Sequence, residues 1–233
     1  MEFNGLPGCG KTTTVNELVN ILRAEGIHVL TLQDVYFYRE TTRLRKMLHF
    51  IRPLFSYKTA HVNLKIVRFL LQFKMSVSRL LDALRLMKLY DQLVRVYETI
   101  DCDVILLEEG LIQYTASIPL TDHMSENRAA SELIESMFGK FNKILVVNCD
   151  LHKEAIIRRI TQRCADNPEM RRRKIDSLNE TEMSKSLDVY YENLVKLRRC
   201  VNTDQHASMQ LIMDHSPEEN GRNVFEFWKK IRN

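Results

Sequence analysis

Gly5-Leu6-Pro7-Gly8-Cys9-Gly10-Lys11-Thr12, with Thr13 and Thr14 behind it, is the stretch on which the reading of this chain turns. It fits G-x-x-x-x-G-K-[ST], the pattern of a phosphate-binding loop. Glycines let the chain curl until successive backbone N–H groups face one concavity, where they can hold the phosphates of a nucleotide. In that reading Gly5, Pro7, Gly8, Cys9, Gly10, Lys11, Thr12 and Thr13 form the cradle. Lys11 reaches the β- and γ-phosphates, Thr12 offers its hydroxyl to Mg²⁺, and the helix opening at Lys11 aims its positive end at the same anion. The pattern is loose, so its flanks matter. Glu2-Phe3-Asn4 ends a strand, and Val15, Leu18, Val19 and Leu22 recur at helical spacing behind the loop, which is the required order of strand, glycine loop and helix. The chain opens almost on the loop, which leaves the strand a stub and suggests an incomplete amino terminus.

Composition sets the frame. A length of 233 residues with 45% hydrophobic content suits one compact domain with a substantial core. The net charge of +4 is too small to argue for nucleic acid. No apolar run approaches a membrane span and no signal-peptide character opens the chain, so a cytoplasmic protein is expected. The five cysteines, at 9, 102, 149, 164 and 200, lack C-x-x-C spacing and read as free thiols, and the seven histidines show no metal-ligand spacing.

Strand-like and helix-like stretches then alternate. Ile27 to Leu32 reads as a second strand, stopping at Gln33-Asp34-Val35-Tyr36-Phe37-Tyr38. A helical territory runs from about residue 39 to 100, interrupted at Pro53 and between Ser56 and Thr59; its second half carries an apolar stripe of Leu80, Leu81, Leu84, Met87, Leu93, Val94 and Tyr97. Asp103 to Gly110 and Lys143 to Asp150 resemble buried parallel strands closed by acids, with a helix over Ser125 to Phe138 between them. From Leu151 a helix passes Arg158, Arg159 and Arg163 into the charged run Arg171-Arg172-Arg173-Lys174. Asn179 or Ser177 caps a helix over Thr181 to Cys200. Met209 to Asp214 is the last strand, and Ser216-Pro217-Glu218-Glu219 joins an N-cap serine, an N1 proline and an N3 glutamate to open a C-terminal helix. This alternation predicts an α/β doubly wound parallel sheet, with ligands at the carboxyl ends of its strands.

The loop, together with Asp103-Val104-Ile105-Leu106-Leu107 followed by an acid, Ala155-x-x-x-Arg159-x-x-x-Arg163, and Asp214-His215-Ser216-Pro217-Glu218, resembles the P-loop nucleoside and nucleotide kinases, thymidylate-kinase-like branch. The resemblance implies a three-layer kinase domain over 1–233, with a helical acceptor lobe at about 39–100 and a lid at about 164–180. By position it makes Glu108 the Mg²⁺ ligand or base, and Arg159 and Arg163 the lid arginines that clamp phosphates. Thymidylate kinases follow the acid with arginine, whereas Glu109 stands here, so a positive clamp is replaced by a negative charge. Asp34-Val35-Tyr36-Phe37-Tyr38 is similar to the segment of uridine kinases whose aspartate takes the acceptor's proton, which makes Asp34 a rival base; its alternative role is a helix cap.

The expected activity is an ATP- and Mg²⁺-dependent transfer of the γ-phosphoryl group to a small-molecule hydroxyl or phosphate. Residues 39–98 hold thirteen Lys/Arg and four Asp/Glu, an excess of nine that leaves the remainder net negative by five, and a basic lobe suits an acidic acceptor. The rivals are a kinase of nucleic-acid ends, which lacks aromatic stacking platforms here, and a nucleotide-switched interaction protein. A homodimer is compatible with all three readings.

Overall fold

The computed structural model describes residues 1–37, 56–119, 123–124, 128–166, 178–201 and 206–232. Among these, five strands alternate with nine helices. They are β1 (Glu2–Gly5), α1 (Lys11–Ala24), β2 (Val29–Thr31), α2 (Leu32–Phe37), α3 (Ala60–Leu70), α4 (Val77–Thr99), β3 (Val104–Leu106), α5 (Leu111–Ser117), α6 (Arg128–Phe138), β4 (Leu145–Asp150), α7 (Lys153–Asp166), α8 (Glu180–Arg199), β5 (Ala207–Ile212) and α9 (Pro217–Arg232). The expected residues 39–53 of the helical lobe, Arg171 to Lys174 of the lid, and Ser125 and Ser177 lie outside the described residues.

All strand pairs are parallel. β1 pairs with β4 and β4 with β5, while β2 pairs with β3. The two ladders meet where β3 runs on to Leu107, which bridges Glu2: Phe3 N donates to Leu107 O at 2.8 Å, and Leu107 N to Met1 O at 2.9 Å. The strand order is therefore β2-β3-β1-β4-β5, with β1 at the centre. Side chains alternate along β1, so Glu2 and Asn4 face α5 and α8 while Phe3 points the other way; all three are buried, and helices cover both faces. α1 and α9 pack together so closely that a methyl group on Gly221 would stand 3.2 Å from the Leu18 nitrogen.

Helix boundaries follow local chemistry. Asn179 accepts from Glu182 N at 2.9 Å and Glu182 reaches back to Asn179 N, a complete capping box that opens α8. Ser216 accepts from Glu219 N at 3.2 Å to open α9. α1 buries Val15, Leu18, Val19 and Leu22, then closes at Gly26, whose φ of 74° belongs to the left-handed region glycine tolerates.

Two elements differ from expectation. The second strand is three residues long rather than six, because Thr31 and Asp34 cap a short helix: Asp34 Oδ2 accepts from Thr31 N at 2.7 Å and from its hydroxyl at 2.8 Å, which ends the strand at Thr31. α5, absent from the sequence reading, starts at Gly110 without a cap of its own. Its cap comes from Glu2, whose carboxylate accepts from Leu111 N at 2.9 Å and Ile112 N at 2.7 Å. Gly110 is there because a Cβ would lie 2.3 Å from Glu2 Cδ, a contact that neither backbone nor buried carboxylate can relieve. Gly110→Ala should therefore cost about 1–3 kcal/mol or more in urea unfolding through overpacking. Gly26→Ala, with nothing within 4 Å of the added carbon, should cost only the left-handed backbone penalty of about 1–2 kcal/mol. A smaller loss in Gly110→Ala than in Gly26→Ala would contradict this account of Gly110.

Candidate phosphate-binding site

β1 delivers the chain to the carboxyl edge of the sheet at Gly5, and α1 carries it away from Lys11, so residues 6–10 make the whole turn. Gly8 and Gly10 adopt φ of 83° and 103°, values that bend the backbone into a concavity and that side chains resist. A Cβ on Gly5 would stand 2.4 Å from Cys149 O, because the loop's first residue lies against the backbone of β4. Gly10 occupies the cap position of α1 and offers no side chain to the first-turn amides, and no acid lies in that turn. α8 and α9 by contrast cap themselves. The first-turn amides of α1 thus have no side-chain cap, the arrangement that suits an anion at a helix amino end.

Lys11 is almost fully buried beneath this turn. Its ammonium donates to Gly5 O at 2.9 Å and Leu6 O at 3.1 Å, with the Cys9 sulfur at 3.9 Å. An ammonium has three protons, and two strong carbonyl acceptors with the weak sulfur acceptor hold the side chain beneath the turn. Thr12 is exposed at the head of α1, whereas the Thr13 hydroxyl turns back to Gly10 O at 2.7 Å.

α7 packs its apolar face against the loop. Ile160 would lie 3.0 Å from a Cβ on Gly8, with Ile156 behind it, and one turn of the same helix brings Arg159 Nη1 to Cys9 O at 3.2 Å. Arg163, one turn further on, is half-buried. The Cys9 thiol is buried against Gly5 and Cys149; the Cys149 thiol beside it, aided by the Lys11 and Arg159 charges, pulls the Cys9 ionisation down, while the same contact and burial push Cys149 up.

The two candidate acids leave the sheet at the same edge from different strands. Glu108 and Glu109, both half-buried, occupy the bend after β3, which adjoins β1. Asp34 follows β2, one strand further out. With strands about 4.8 Å apart, the β3 exit lies about 5 Å to the side of the loop strand and the β2 exit about 10 Å. Glu108 thus leaves the sheet beside the loop strand, and Asp34 one strand further out, where its carboxylate caps α2 through Thr31.

Residues that sequence reasoning passed over hold this edge together. Gln113, buried on α5, accepts from Gly5 N at 3.1 Å, and its own carbonyl accepts from the Tyr190 hydroxyl at 3.2 Å. Arg198 of α8 donates to Asn4 Oδ1 at 2.6 Å and Asn4 O at 3.1 Å, with Asp150 at 3.7 Å, and so clamps the residue before the loop. Glu2 fixes α5 and with it the Glu108–Glu109 bend. The available signal was an acid and an amide, Glu2 and Asn4, alternating within a strand that the loop makes central. A separate cavity of about 300 Å³ lies at the opposite, amino end of the strands, lined by residues such as Tyr97, Phe141 and Trp228, far from the loop's amides.

No protein-family model matches the chain, and no curated protein is similar to it.

Burial pushes the Glu2 carboxyl up to about 7, against the opposing pull of the α5 amides. In the unfolded chain the group ionises near 4.5, so between these values the folded state holds a proton that the unfolded state has lost. This residue's contribution to stability is full below about pH 4.5, declines as pH rises through about 7, and is constant above that. A shift of this size amounts to at most about 3 kcal/mol. Urea unfolding of Glu2→Gln should accordingly lack the Glu2 share of the pH dependence between about pH 4.5 and 7; identical pH profiles would refute the assignment.

Proposed function

We propose that the protein is a P-loop phosphotransferase, similar in plan to the thymidylate-kinase-like enzymes, that uses ATP and Mg²⁺ to phosphorylate a small, acidic acceptor in the cytoplasm. The observation that carries this reading is the uncapped amino end of α1 behind two left-handed glycines, with the Lys11 ammonium fixed beneath the same turn. The setting supports it, since the loop follows the central strand of a parallel sheet, at the edge where such sheets bind ligands. Five free thiols suit a reducing compartment.

The residues fit a nucleotide triphosphate. Gly5 to Thr13 would hold its phosphates through loop amides, Lys11 would exchange its weak contact with the Cys9 sulfur for a phosphate oxygen, and the exposed Thr12 hydroxyl and Glu108 carboxylate would hold Mg²⁺, which when bound neutralises phosphate charge. Phosphoryl transfer asks mainly for positioning and for positive charge around the transferring oxygens. Lys11 and Arg159 provide that charge from two sides, Arg159 already tied to the loop through Cys9 O. Arg163 follows Arg159 on the same helix toward the lid. A carboxylate must then take the acceptor's proton; Glu108 is nearer the loop strand, and Asp34 lies on the acceptor side.

Thermal shift with ATP and Mg²⁺, alone and beside panels of nucleosides, nucleotides and phosphosugars, tests the reading directly. ATP should stabilise the protein, and Lys11→Ala should lower phosphoryl transfer by about 10²–10³-fold. Unchanged ATP binding and turnover in that variant would refute it. Glu108→Gln should lower kcat by about 10²-fold while Glu109→Gln alters acceptor KM; a crippled Asp34→Asn with both glutamine variants active would move the base to β2.

The basic lobe has its own test. Arg68→Gln, Arg79→Gln and Arg85→Gln should raise acceptor KM without changing ATP affinity, and added salt should do the same by screening. Arg43 and Arg45, of the same lobe, lie outside the described residues. A steep salt dependence shared by all three variants would instead indicate a nucleic-acid acceptor.

A further inference from the structure

The apolar stripe expected along α4 is buried only from Ala83 onward. Its first turn stays outside the core, with Leu80 and Leu81 exposed. The preceding turn continues this exposure, since Leu71 is 66%, Met75 53% and Val77 76% accessible, and Leu64 on α3 extends the same apolar surface. Core residues lie just inside: Phe69 is fully buried and packs edge-on against Phe73 at 5.3 Å, with the Arg79 guanidinium 5.8 Å over the Phe73 ring.

The turn that presents these side chains is held by its own hydrogen bonds. Gln72 N donates to Phe69 O, Phe73 N to Leu70 O, Arg79 Nη1 to Lys74 O at 2.6 Å, and Ser76 caps α4 through Arg79 N. The hairpin tip is thus an ordered structure that turns one aromatic side chain inward and its aliphatic ones outward.

Charge defines what can meet it. Residues 56–90 carry seven Lys/Arg and one acid, Asp82, which is paired with Arg85 at 2.9 Å. Lys74 stands exposed at the tip between Leu71 and Met75, and Arg68 and Arg85 are exposed on the flanking helices. Among the described residues of the adjoining α6, Glu132 lies 3.6 Å from Arg68 and pairs with Arg128 at 2.6 Å. Aliphatic side chains that project beyond a belt of cations match an anionic bilayer, where apolar groups enter the acyl boundary and lysine and arginine remain at the headgroups. The location fits as well. α4 leads into β3 at the amino end of the sheet, so its own amino end points past the carboxyl edge, on the side of the phosphate loop.

From this surface we propose that the α3–α4 hairpin tip docks the protein on anionic phospholipid membranes, as a peripheral contact made by Leu71, Met75, Val77, Leu80 and Leu81 within a basic rim. The contact is independent of the phosphotransferase reading. No helix among the described residues is long and apolar enough to cross a membrane, and a surface contact needs none.

Co-sedimentation of the full chain with vesicles tests it. The protein should bind mixed phosphatidylcholine–phosphatidylglycerol vesicles, bind phosphatidylcholine alone far more weakly, and release as salt rises. The triple variant Leu71→Ser/Met75→Ser/Val77→Ser should lose binding by about tenfold or more. Lys74→Gln should lose about fivefold. All these side chains are exposed, so thermal midpoints should stay at the parent value, and that measurement is run on every variant. Equal binding of neutral and anionic vesicles, or parental binding by the triple variant, overturns the proposal. Light scattering that shows a parent dimer and a monomeric triple variant with unaltered vesicle binding assigns the face to a second copy and also overturns it.

Discussion

The burial of one carboxylate between the central strand and α5 is the constraint on which the rest of the structure turns. Glu2 points from β1 into the protein, away from water, and ionised oxygen there needs donors. It finds two at the amino end of a seven-residue helix that is too short to hold itself together. The bargain is mutual: α5 acquires a cap, and Glu2 acquires hydrogen bonds. Gly110 must then be glycine, and the bend at Glu108 and Glu109 is set between a strand on one side and a pinned helix on the other. Gln113, two residues into the same helix, extends the tie to the first amide of the phosphate loop. One short helix thereby sets the distance between the acids and the loop.

A second polar group works from the other end. Arg198 comes from α8, nearly two hundred residues along the chain from Asn4, and takes both the side-chain and main-chain oxygens of that residue. Asn4 pairs in register with Asn148, whose side-chain amide donates diagonally to Ser208, so polar side chains link β1, β4 and β5. An apolar row would bury more surface, but it would not distinguish one strand register from the next. Polar partners do, because a slip of one residue would break the Arg198–Asn4 and Asn148–Ser208 hydrogen bonds.

What was legible in the sequence was local. The loop, the strand before it and the helix after it needed only glycine positions and a 3.6-residue period. Asn179 and Ser216 announced the starts of α8 and α9 because cap and capped amide lie three residues apart. α5 was missed for the opposite reason: its cap is 109 residues away, and Leu111 to Ser117 has no start signal of its own. α2 was missed although its Thr31–Asp34 cap was in plain view, since the β-branched and aliphatic run from Ile27 to Leu32 argued for a longer strand. The loop half of the site was readable from residue types alone. The half made of Glu2, Gln113 and Arg198 was not, because a buried polar residue declares its importance only once its neighbours are known.

α4 has 23 residues and so extends about 34 Å, several times the length of β3 beside it. Its lower part is packed on α5, the helix that Glu2 and Gln113 tie to the central strand and the loop, while its upper turns stand clear of the core. The packed arm, from Ala83 onward, is the long one, and the free arm ahead of it is only about 9 Å. A tilt of about five degrees about the packed arm would carry the tip through only about 1 Å, so the hairpin is a stiff extension of the helix that Glu2 and Gln113 tie to the loop.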